Sequence, residues 1–510
     1  MIEAMAAGRG QLSGQAQADT SRLHAIGFSP FAALSCALVL AGACLLDLPA
    51  SAQVPSERPE RGRAAPLEER SGRRGNRGPV EEFRTQVPSR PYDIVLGNPT
   101  ETSVTASIVA YSTLEGYFEY GTDPGGYDKR SELVRLEPNV AVEAILDGLV
   151  PHAQHWYRWR SRASPRDDFE ASGGFTFRSG RAQGETFVFT VQADSHLDGR
   201  TDTRLYEASL RNARLAGPDF HVDLGDTFMT DKRRTDYRDA LPQYLAQRYY
   251  FGLIGSVAPV FLVSGNHDGE GFRKGAMGRW ARKQRDAYFA TPSDGVLGRG
   301  NYYSWEWGDA LFVALDPFWE TDRVRRGGDF WARTLGESQF RWLAQTLRSS
   351  RARFKFVFVH HLVGGLNQAA RGGAAAANLF EWGGRSLHGK YEFDERRPGW
   401  EMPIHQMLVE TGVDIVFHGH DHAFVKEDLD GLVYLLVPQP GLGRYGVPRD
   451  IAGPYENGDI VGGPGHVRVT VSPEAALVEL VQTRLQGGGS GKGRVAYSFR
   501  ARLKCSGECQ

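Results

Sequence analysis

Residues Val260–Asp268 have the sequence VFLVSGNHD, an apolar run that ends in amide, imidazole and carboxylate side chains. A short apolar run bounded by turn residues is typical of a buried β-strand. The side chains after it, Asn266, His267 and Asp268, can all bind a metal or move a proton. In layered α/β domains, ligands gather at the carboxyl ends of the strands. The stretch therefore predicts a strand whose end contributes to a functional site.

The same pattern, an apolar run followed by ligand-type side chains, occurs four more times. Helical stretches at Asp202–Ala216 and Ser338–Ser349 separate some of these runs, as expected for an α/β fold class. The runs and the residues after them are Thr186–Ala193 with Asp194 and His196, Phe220–Leu224 with Gly225 and Asp226, Phe354–Val359 with His360 and His361, and Val413–Phe417 with His418, His420 and His422.

Five such loops at one sheet edge can converge on a small volume, and they bring oxygen and nitrogen donors without sulfur. This donor set suits Zn, Mn, Fe(II) or Co. A pair of metals about 3.5–4 Å apart needs a bridging carboxylate. Asp226 is the natural bridge, because Gly225 lets the backbone turn sharply behind it. Two further pairs can reach ions around a turn: Asp194 with His196, and His420 with His422.

The motifs Asp194-x-His196, Gly225-Asp226, Gly265–Asp268, His360 and Gly419-His420-x-His422 resemble those of the calcineurin-like metallophosphoesterase superfamily, over residues 185–485. The resemblance implies a four-layer αββα domain with two divalent ions (Mn, Zn or Fe(II)) at one edge of two sheets. It places Asp194, His196 and His422 on the first metal, Asp226 as the bridge, and Asn266, His360 and His420 on the second.

The same resemblance assigns roles in phosphate ester hydrolysis. A metal-bound hydroxide would attack phosphorus, and His267, oriented by Asp268, would protonate the leaving oxygen. His361 would lie beside the ligands or contact phosphate, and the reverse assignment of His360 and His361 stays open. Arg444 could clamp a phosphate oxygen, which its planar fork suits, or be a plain surface arginine.

A small antiparallel β-sandwich is predicted over residues 92–180, from short alternating stretches separated by turn clusters. Its Leu149-x-Pro151 and Trp156-Tyr157-Arg158 resemble the fibronectin-type domain of purple acid phosphatases. Those enzymes have Tyr three residues after the bridging Asp, where this chain has Met229, and Gly where it has His196. A purple ferric centre is therefore not expected, and a pair of divalent ions is.

The N-terminal region predicts export. The apolar segment Phe31–Leu46 is too short to span a membrane, and Ala50-Ser51-Ala52 is a signal-peptidase pattern. Residues 1–52 are predicted to be a signal peptide and 53–91 a disordered linker, with a periplasmic or secreted mature protein. An uncleaved N-terminal anchor is the alternative.

Charge and cysteine content exclude other classes. The 510-residue chain has 60 Lys plus Arg against 61 Asp plus Glu, which argues against nucleic acid as a partner. The cysteines lie away from the candidate site, so a thiolate metal site or cysteine nucleophile is not expected. The pair near the C-terminus is either a small disulfide loop or two free thiols. The four are Cys36, Cys44, Cys505 and Cys509.

Two regions of the C-terminal half carry further predictions. Residues Gly364–Gly399, rich in Gly and Ala, are expected to be a lid or disordered. The segments from His466 to Lys504 are expected to complete the second sheet, with residues 486–510 forming a terminal strand and tail.

Three functions fit this sequence. The first is a phosphomonoesterase acting on small phosphate esters, and the second is a phosphodiesterase or nucleotide hydrolase. The third is a non-catalytic envelope-binding protein on the same scaffold. The complete ligand set and His267 argue against the third, because a decayed site would be expected to have lost some of them.

Overall fold

The computed structural model describes residues 82–233, 235–269, 275–292, 301–318, 320–321, 328–367, 369–448, 451, 453–485 and 491–502. The predicted signal peptide, residues 53–81 of the predicted linker and all four cysteines lie outside these ranges. Within them, no helix has the length and apolar character needed to cross a membrane.

The first folded part is a sandwich of two small β-sheets. Its core is formed by inward-facing side chains such as Phe118, Tyr157 and Trp159, which are fully buried. Burial alternates along Gln154–Arg162, as period-two patterning requires, whereas Val104–Ala110 is buried at every position. One sheet contains β1 (Tyr92–Gly97), β2 (Val104–Ala110) and β6 (Ala141–Leu146); the other contains β3 (Leu114–Gly121), β4 (Lys129–Arg130), β5 (Val134–Leu136), β7 (Gln154–Arg162), β8 (Glu170–Ala171) and β9 (Phe175–Arg178).

The second part contains two larger sheets that pack face to face around an aromatic core. The first sheet has the order β12-β11-β10-β20-β21-β22 and the second β13-β14-β15-β16-β18-β17-β19. Their strands are β10 (Phe187–Gln192), β11 (Phe220–Asp223), β12 (Val260–Leu262), β13 (Tyr303–Trp307), β14 (Ala310–Ala314), β15 (Phe354–Val359), β16 (Ile415–His418), β17 (Phe424–Leu429), β18 (Leu432–Leu436), β19 (Asp459–Val461), β20 (Gly465–Val471), β21 (Ala475–Leu485) and β22 (Gly491–Arg502).

Helices cover both outer faces of this sheet pair. Apolar residues of α1 and α2 pack together outside the first sheet, and those of α4 and α8 pack on the second. The layers are therefore αββα, which confirms the predicted fold class. The helices are α1 (Thr203–Leu215), α2 (Leu241–Gly255), α3 (Ala276–Tyr288), α4 (Glu337–Ser349), α5 (Ala374–Ala377), α6 (Phe380–Gly383), α7 (Phe393–Arg396) and α8 (Ile404–Glu410).

The strand directions explain why the ligand loops meet. β10, β11 and β12 run parallel in the first sheet, and β14, β15, β16 and β18 run parallel in the second. The carboxyl ends of parallel strands lie at the same sheet edge. The loops after β10, β11, β12, β15 and β16 therefore bring their polar side chains to one place.

A buried arginine joins the sandwich to the second part. Arg248 of α2 donates hydrogen bonds to the carbonyl oxygens of Asp93 (3.1 Å), Ser107 (2.8 Å) and Tyr288 (2.7 Å). Burial lowers the pKa of this guanidinium to about 10. The Tyr157 hydroxyl also donates to the carbonyl oxygen of Ser256, at 2.7 Å. The sandwich is thus fixed to the second part by hydrogen bonds between buried groups.

The last residues of the predicted disordered linker, 82–90, are instead packed against the second part; we call them the strap. Phe83 lies under the guanidinium of Arg233, with 3.6 Å from the guanidinium carbon to the ring centroid, and the Arg84 N–H donates to the Leu197 carbonyl oxygen at 2.6 Å. Val87 packs against α1 and α2. The prediction of disorder was wrong here because it relied on polar composition. In the structure, exposed and half-buried side chains alternate along the strap.

Two C-terminal predictions also need correction. β20, β21 and β22 extend the sheet that contains β10, rather than the second sheet, because β20 pairs antiparallel with β10. The described residues of 364–399 are ordered and include three short helices. Trp382 is fully buried there and donates to the Tyr434 hydroxyl at 2.9 Å, so disorder is excluded for this part of the segment.

Candidate metal centre

Asp194, His196 and His422 form the first of two groups able to hold a metal ion, with one donor atom from each residue within 4.8 Å of the others. His196 Nε2 and His422 Nε2 lie 3.7 and 3.6 Å from Asp194 Oδ1. Asp194 is fully buried. Although burial alone would raise its pKa, the neighbouring histidines His422 and His196 hold that pKa well below the usual range.

Asp226, His360 and His420 form the second group, under the same distance limit. The Leu224 carbonyl oxygen accepts a hydrogen bond from His360 Nδ1 at 2.8 Å, so Nε2 is the atom left to bind a metal. Asn266 Oδ1 lies 3.0 Å from that Nε2 and so belongs to the same set. The structure brings His360, and not His361, into this group.

Asp226 lies between the two groups. Its Oδ2 is 3.7 Å from His196 Nε2 on one side and 3.3 Å from His360 Nε2 on the other. Its Oδ1 accepts the backbone N–H of His267 at 2.8 Å, which fixes the orientation of the carboxylate. Asp226 thus occupies the position that a bridging ligand requires.

Buried nitrogen and oxygen atoms without a hydrogen-bond partner show whether these residues fit metal ions. Within the described ranges, Asp194 Oδ1, His196 Nε2 and His420 Nδ1 are buried and make no hydrogen bond. A buried polar atom without a partner is costly. Metal ions would satisfy all three atoms, and carboxylate with imidazole is a donor set for divalent metals. The residues therefore fit a pair of divalent ions.

The ligand loops have unusual backbone conformations. Five of the seven predicted ligands have φ in the left-handed region, which ordinary residues rarely adopt. Such strain is characteristic of functional sites that the surrounding fold holds in place. The five are Asp194 (59°), His196 (49°), Asp226 (55°), His420 (78°) and His422 (57°).

Two glycines let the loops after β11 and β12 approach this closely. Gly225 has φ of 93°, and a Cβ there would lie 2.4 Å from the Gly265 nitrogen. A Cβ on Gly265 would lie 2.0 Å from the Asp226 nitrogen. Neither position can accept a side chain without moving the bridging carboxylate.

Asp268 does not orient His267, which corrects the sequence-based assignment. Its carboxylate accepts four backbone N–H groups, which pins the loops after β11 and β12 together. Burial, and then the nearby charge of Asp226, raise the pKa of Asp268 to about 7. The four donors are Asp226 (3.1 Å), Thr227 (2.8 Å), Phe228 (2.8 Å) and Gly265 (2.8 Å).

Asp231 is the partner of His267 instead. His267 Nδ1 lies 3.1 Å from Asp231 Oδ1, and His267 Nε2 lies 3.9 Å from Asp226 Oδ2. Burial alone would lower the pKa of His267, but the charges of Asp226 and Asp231 raise it. The protonated form is therefore favoured, with Nε2 on the side of the candidate metal ligands.

A cavity of about 460 Å³ opens onto both groups; we call it the metal cavity. His361 lines it, with Nδ1 3.0 Å from the Leu362 carbonyl oxygen, as does the thioether residue Met229. Ala369, Ala370 and Arg371, from the region predicted to be a lid, form part of its wall. Arg444 does not border the metal cavity and lines a neighbouring one.

Several residues of the site were missed by the sequence reasoning. Asp198 Oδ2 lies 3.3 Å from His196 Nδ1, which leaves Nε2 of that ring for a metal. The only sequence feature that could have indicated this contact is the position of Asp198 two residues after His196. The cationic residues of the metal cavity carry no local motif, because they reach it from separate loops. They are Arg200, Lys232, Arg333 and Arg371.

Comparisons with known proteins agree with this geometry. Residues 187–424 match the family described as calcineurin-like phosphoesterase. The chain is similar to PhoD, at 15% identity and a TM-score of 0.56, over 82% of this chain and 91% of that one. It is also similar to the purple acid phosphatase PPD1 from yellow lupin (Lupinus luteus) seeds, at 16% identity and a TM-score of 0.55, over 80% of this chain and 74% of that one. No curated protein sequence matches the chain.

Proposed function

We propose that this chain, a metal-dependent phosphoester hydrolase, is an exported phosphomonoesterase that removes phosphate from small esters. The observation that carries the proposal is the pair of unsatisfied ligand groups meeting at Asp226, with His267 beside them. The first ion would be held by Asp194, His196 and His422, and the second by Asn266, His360 and His420. Bound divalent ions supply charge neutralisation at phosphorus and activate water at neutral pH.

The chain's own residues complete the reaction site. The Nδ1–H of His267 donates to Asp231, which leaves Nε2 on the side of the candidate metal ligands; the protonated ring would deliver its Nε2 proton to the departing alkoxide oxygen. The Asp231 carboxylate stabilises the protonated ring through this contact. Asp268 takes no part in proton transfer and fixes the loops that carry Asp226 and His267.

Charge around the metal cavity supports a monoester substrate. Lys232, Arg333 and Arg371 line it together with the candidate metal ligands. A monoester of phosphate is a dianion at neutral pH and gains more from such a positive field than a diester, which carries a single charge. Among the residues that the structure describes, no comparable feature favours the second substrate class, phosphodiesters.

The test is hydrolysis of p-nitrophenyl phosphate beside bis(p-nitrophenyl) phosphate, with Mn, Zn, Fe(II) and Ca each added to metal-free protein. We expect turnover of the monoester with at least one of the first three metals and slower turnover of the diester. Asp226→Asn protein, prepared in parallel, controls for contaminating phosphatases. No turnover with any metal would favour a non-catalytic binding protein, and a faster diester reaction would overturn the monoester assignment.

Export is proposed from the sequence alone. The apolar segment Phe31–Leu46 and the following Ala50-Ser51-Ala52 support cleavage before Gln53 and release into the periplasm or medium. The mature protein from the native host should begin at or near Gln53. An N-terminus at Met1 or Met5 would support a retained anchor instead. We further propose that the sandwich is of the fibronectin type III kind, which the pairing of β1, β2 and β6 opposite β3 and β7 supports.

A further inference from the structure

A second cavity, of about 420 Å³, adjoins the metal cavity; we call it the side cavity. The two cavities share His196, Asp198, Arg200 and His422 as walls, so they meet at the first metal group. Gln439, Leu442, Gly443 and Arg444 line only the side cavity. A substrate bound at the metals can therefore extend into it.

Two arginines of the side cavity make no polar side-chain contact with the protein. Arg200 and Arg444 are both exposed, and neither guanidinium forms a hydrogen bond or ion pair with another described residue. The other two arginines of the metal cavity, Arg333 and Arg371, differ. Arg371 pairs with Asp421 at 2.9 Å, and Arg333 donates to the Gly364 carbonyl oxygen at 2.6 Å. Those two are held by the fold, whereas Arg200 and Arg444 remain available to a ligand.

The backbones that carry the two available arginines are pinned together. A β-bridge joins Thr201 to Leu442, and the Asp202 N–H donates to the Gly441 carbonyl oxygen at 2.9 Å. A Cβ placed on Gly443 would lie 3.9 Å from the carbonyl oxygen of Arg200. Two like charges thus extend from adjoining loops, and an anion in the side cavity would be attracted to both.

One carboxylate, Asp198, acts on the charge of Arg200, but its single negative charge cannot balance two arginines. Asp198 lies between the cavities, but its Oδ1 accepts the backbone N–H of Arg200 at 2.8 Å and its Oδ2 faces His196 Nδ1 at 3.3 Å. Both oxygens are therefore committed to the loop that carries His196. The guanidinium fork of arginine matches the oxygens of phosphate.

We propose that the side cavity binds a second phosphate group of the substrate, held by Arg200 and Arg444 while the first is hydrolysed at the metals. The preferred substrates are then phosphate monoesters that carry another phosphate on the part of the molecule that is not transferred. The inference rests on the proposed phosphomonoesterase activity and narrows its substrate class.

The experiment compares substrates that differ only in the second phosphate. Metal-loaded full-length protein is assayed on 1,3-propanediol monophosphate and bisphosphate, and on the 1,6-hexanediol pair to allow for reach, with p-nitrophenyl phosphate as a reference. We expect kcat/KM per phosphate to be higher for at least one bisphosphate, by about tenfold or more, since one charge-assisted contact is worth about that factor. The preference should shrink at high salt, because both arginines are exposed.

Variants assign the preference to the two arginines. Arg200→Gln/Arg444→Gln should reduce the ratio of kcat/KM for bisphosphate over monophosphate to near one, mainly through KM, since the contact persists from ground state to transition state. Arg341→Gln, an exposed arginine on α4, is the matched control and should leave the ratio unchanged. Turnover of p-nitrophenyl phosphate without a bisphosphate preference at either chain length would overturn this inference but leave the proposed function in place. A preference that survives the double substitution would also overturn it. Failure to hydrolyse any of the esters would instead remove the proposed function.

Discussion

The imidazole of His267 is held by Asp231, whose Oδ1 lies 3.1 Å from Nδ1, and not by its sequence neighbour Asp268. The two carboxylates have separate tasks, because one faces the ring and the other accepts backbone N–H groups. They can therefore be distinguished by substitution.

Asp231→Asn should slow hydrolysis of alkyl phosphates by roughly 10–100-fold, because the amide keeps a polar contact but removes the charge that favours the protonated ring. Metal content and the free energy of unfolding should change little. Asp268→Asn is the matched comparison and should lower stability and metal retention, since an amide cannot accept all four N–H groups. Equal kinetic losses with intact metals in both variants would contradict this division.

His267→Ala should slow alkyl phosphate hydrolysis by roughly 10²–10⁴-fold, the usual contribution of a general acid. The loss on p-nitrophenyl phosphate should be clearly smaller, because p-nitrophenolate leaves without a proton. Steady-state kinetics on both substrates, with metal analysis of the same samples, provides the measurement. Equal slowing with both metals retained would make His267 a phosphate-binding group, with His361 the next candidate for the acid.

Asp226→Asn should remove activity more completely than Asp194→Asn. Asp226 lies between both ligand groups, whereas Asp194 belongs to one of them. Metal content should fall for both ions in the first variant and mainly for one in the second. A mild effect at Asp226 would rule out its assignment as the bridge.

Metal-free protein reloaded with Mn, Zn or Fe(II) should bind two ions per chain and remain colourless. Met229 lines the metal cavity at the position where purple acid phosphatases have their tyrosine, so no phenolate is available there for a charge-transfer bond. Elemental analysis and a visible spectrum check both points. A strong visible band with iron, or one tightly held ion per chain, would contradict the expectation.

Arg248→Met should lower the free energy of unfolding by about 3 kcal/mol, because the buried carbonyl oxygens of Asp93, Ser107 and Tyr288 would lose their donor. Urea unfolding followed by fluorescence gives the value. Arg341→Met, on the exposed face of α4, is the control and should change stability by less than about 0.5 kcal/mol. Similar values for the two variants would mean that the sandwich is only loosely attached.

The layered fold and the ligand positions could be predicted because both depend on local pattern. Each candidate ligand follows an apolar run, and parallel strands bring such ends together whatever the loops contain. The hydrogen-bond partner of His267 could not be predicted, since the contact depends on the 3₁₀ turn Thr230–Lys232, which places Asp231 near the ring. Arg444 was named from the sequence, but the cations of the metal cavity could not be predicted, because residues such as Arg200 and Arg333 reach that cavity from separate parts of the chain.

The strap is synthesised early but contacts residues that are synthesised much later. Its residues precede the sandwich, yet the backbone N–H of Arg84 donates to Leu197, and its last residue, Arg90, donates to the Leu245 carbonyl oxygen, 155 positions later. These contacts have no surface to bind until α1 and α2 have been synthesised and packed. Leu197 directly follows the candidate ligand His196, so the strap is hydrogen-bonded to the backbone next to the first metal group.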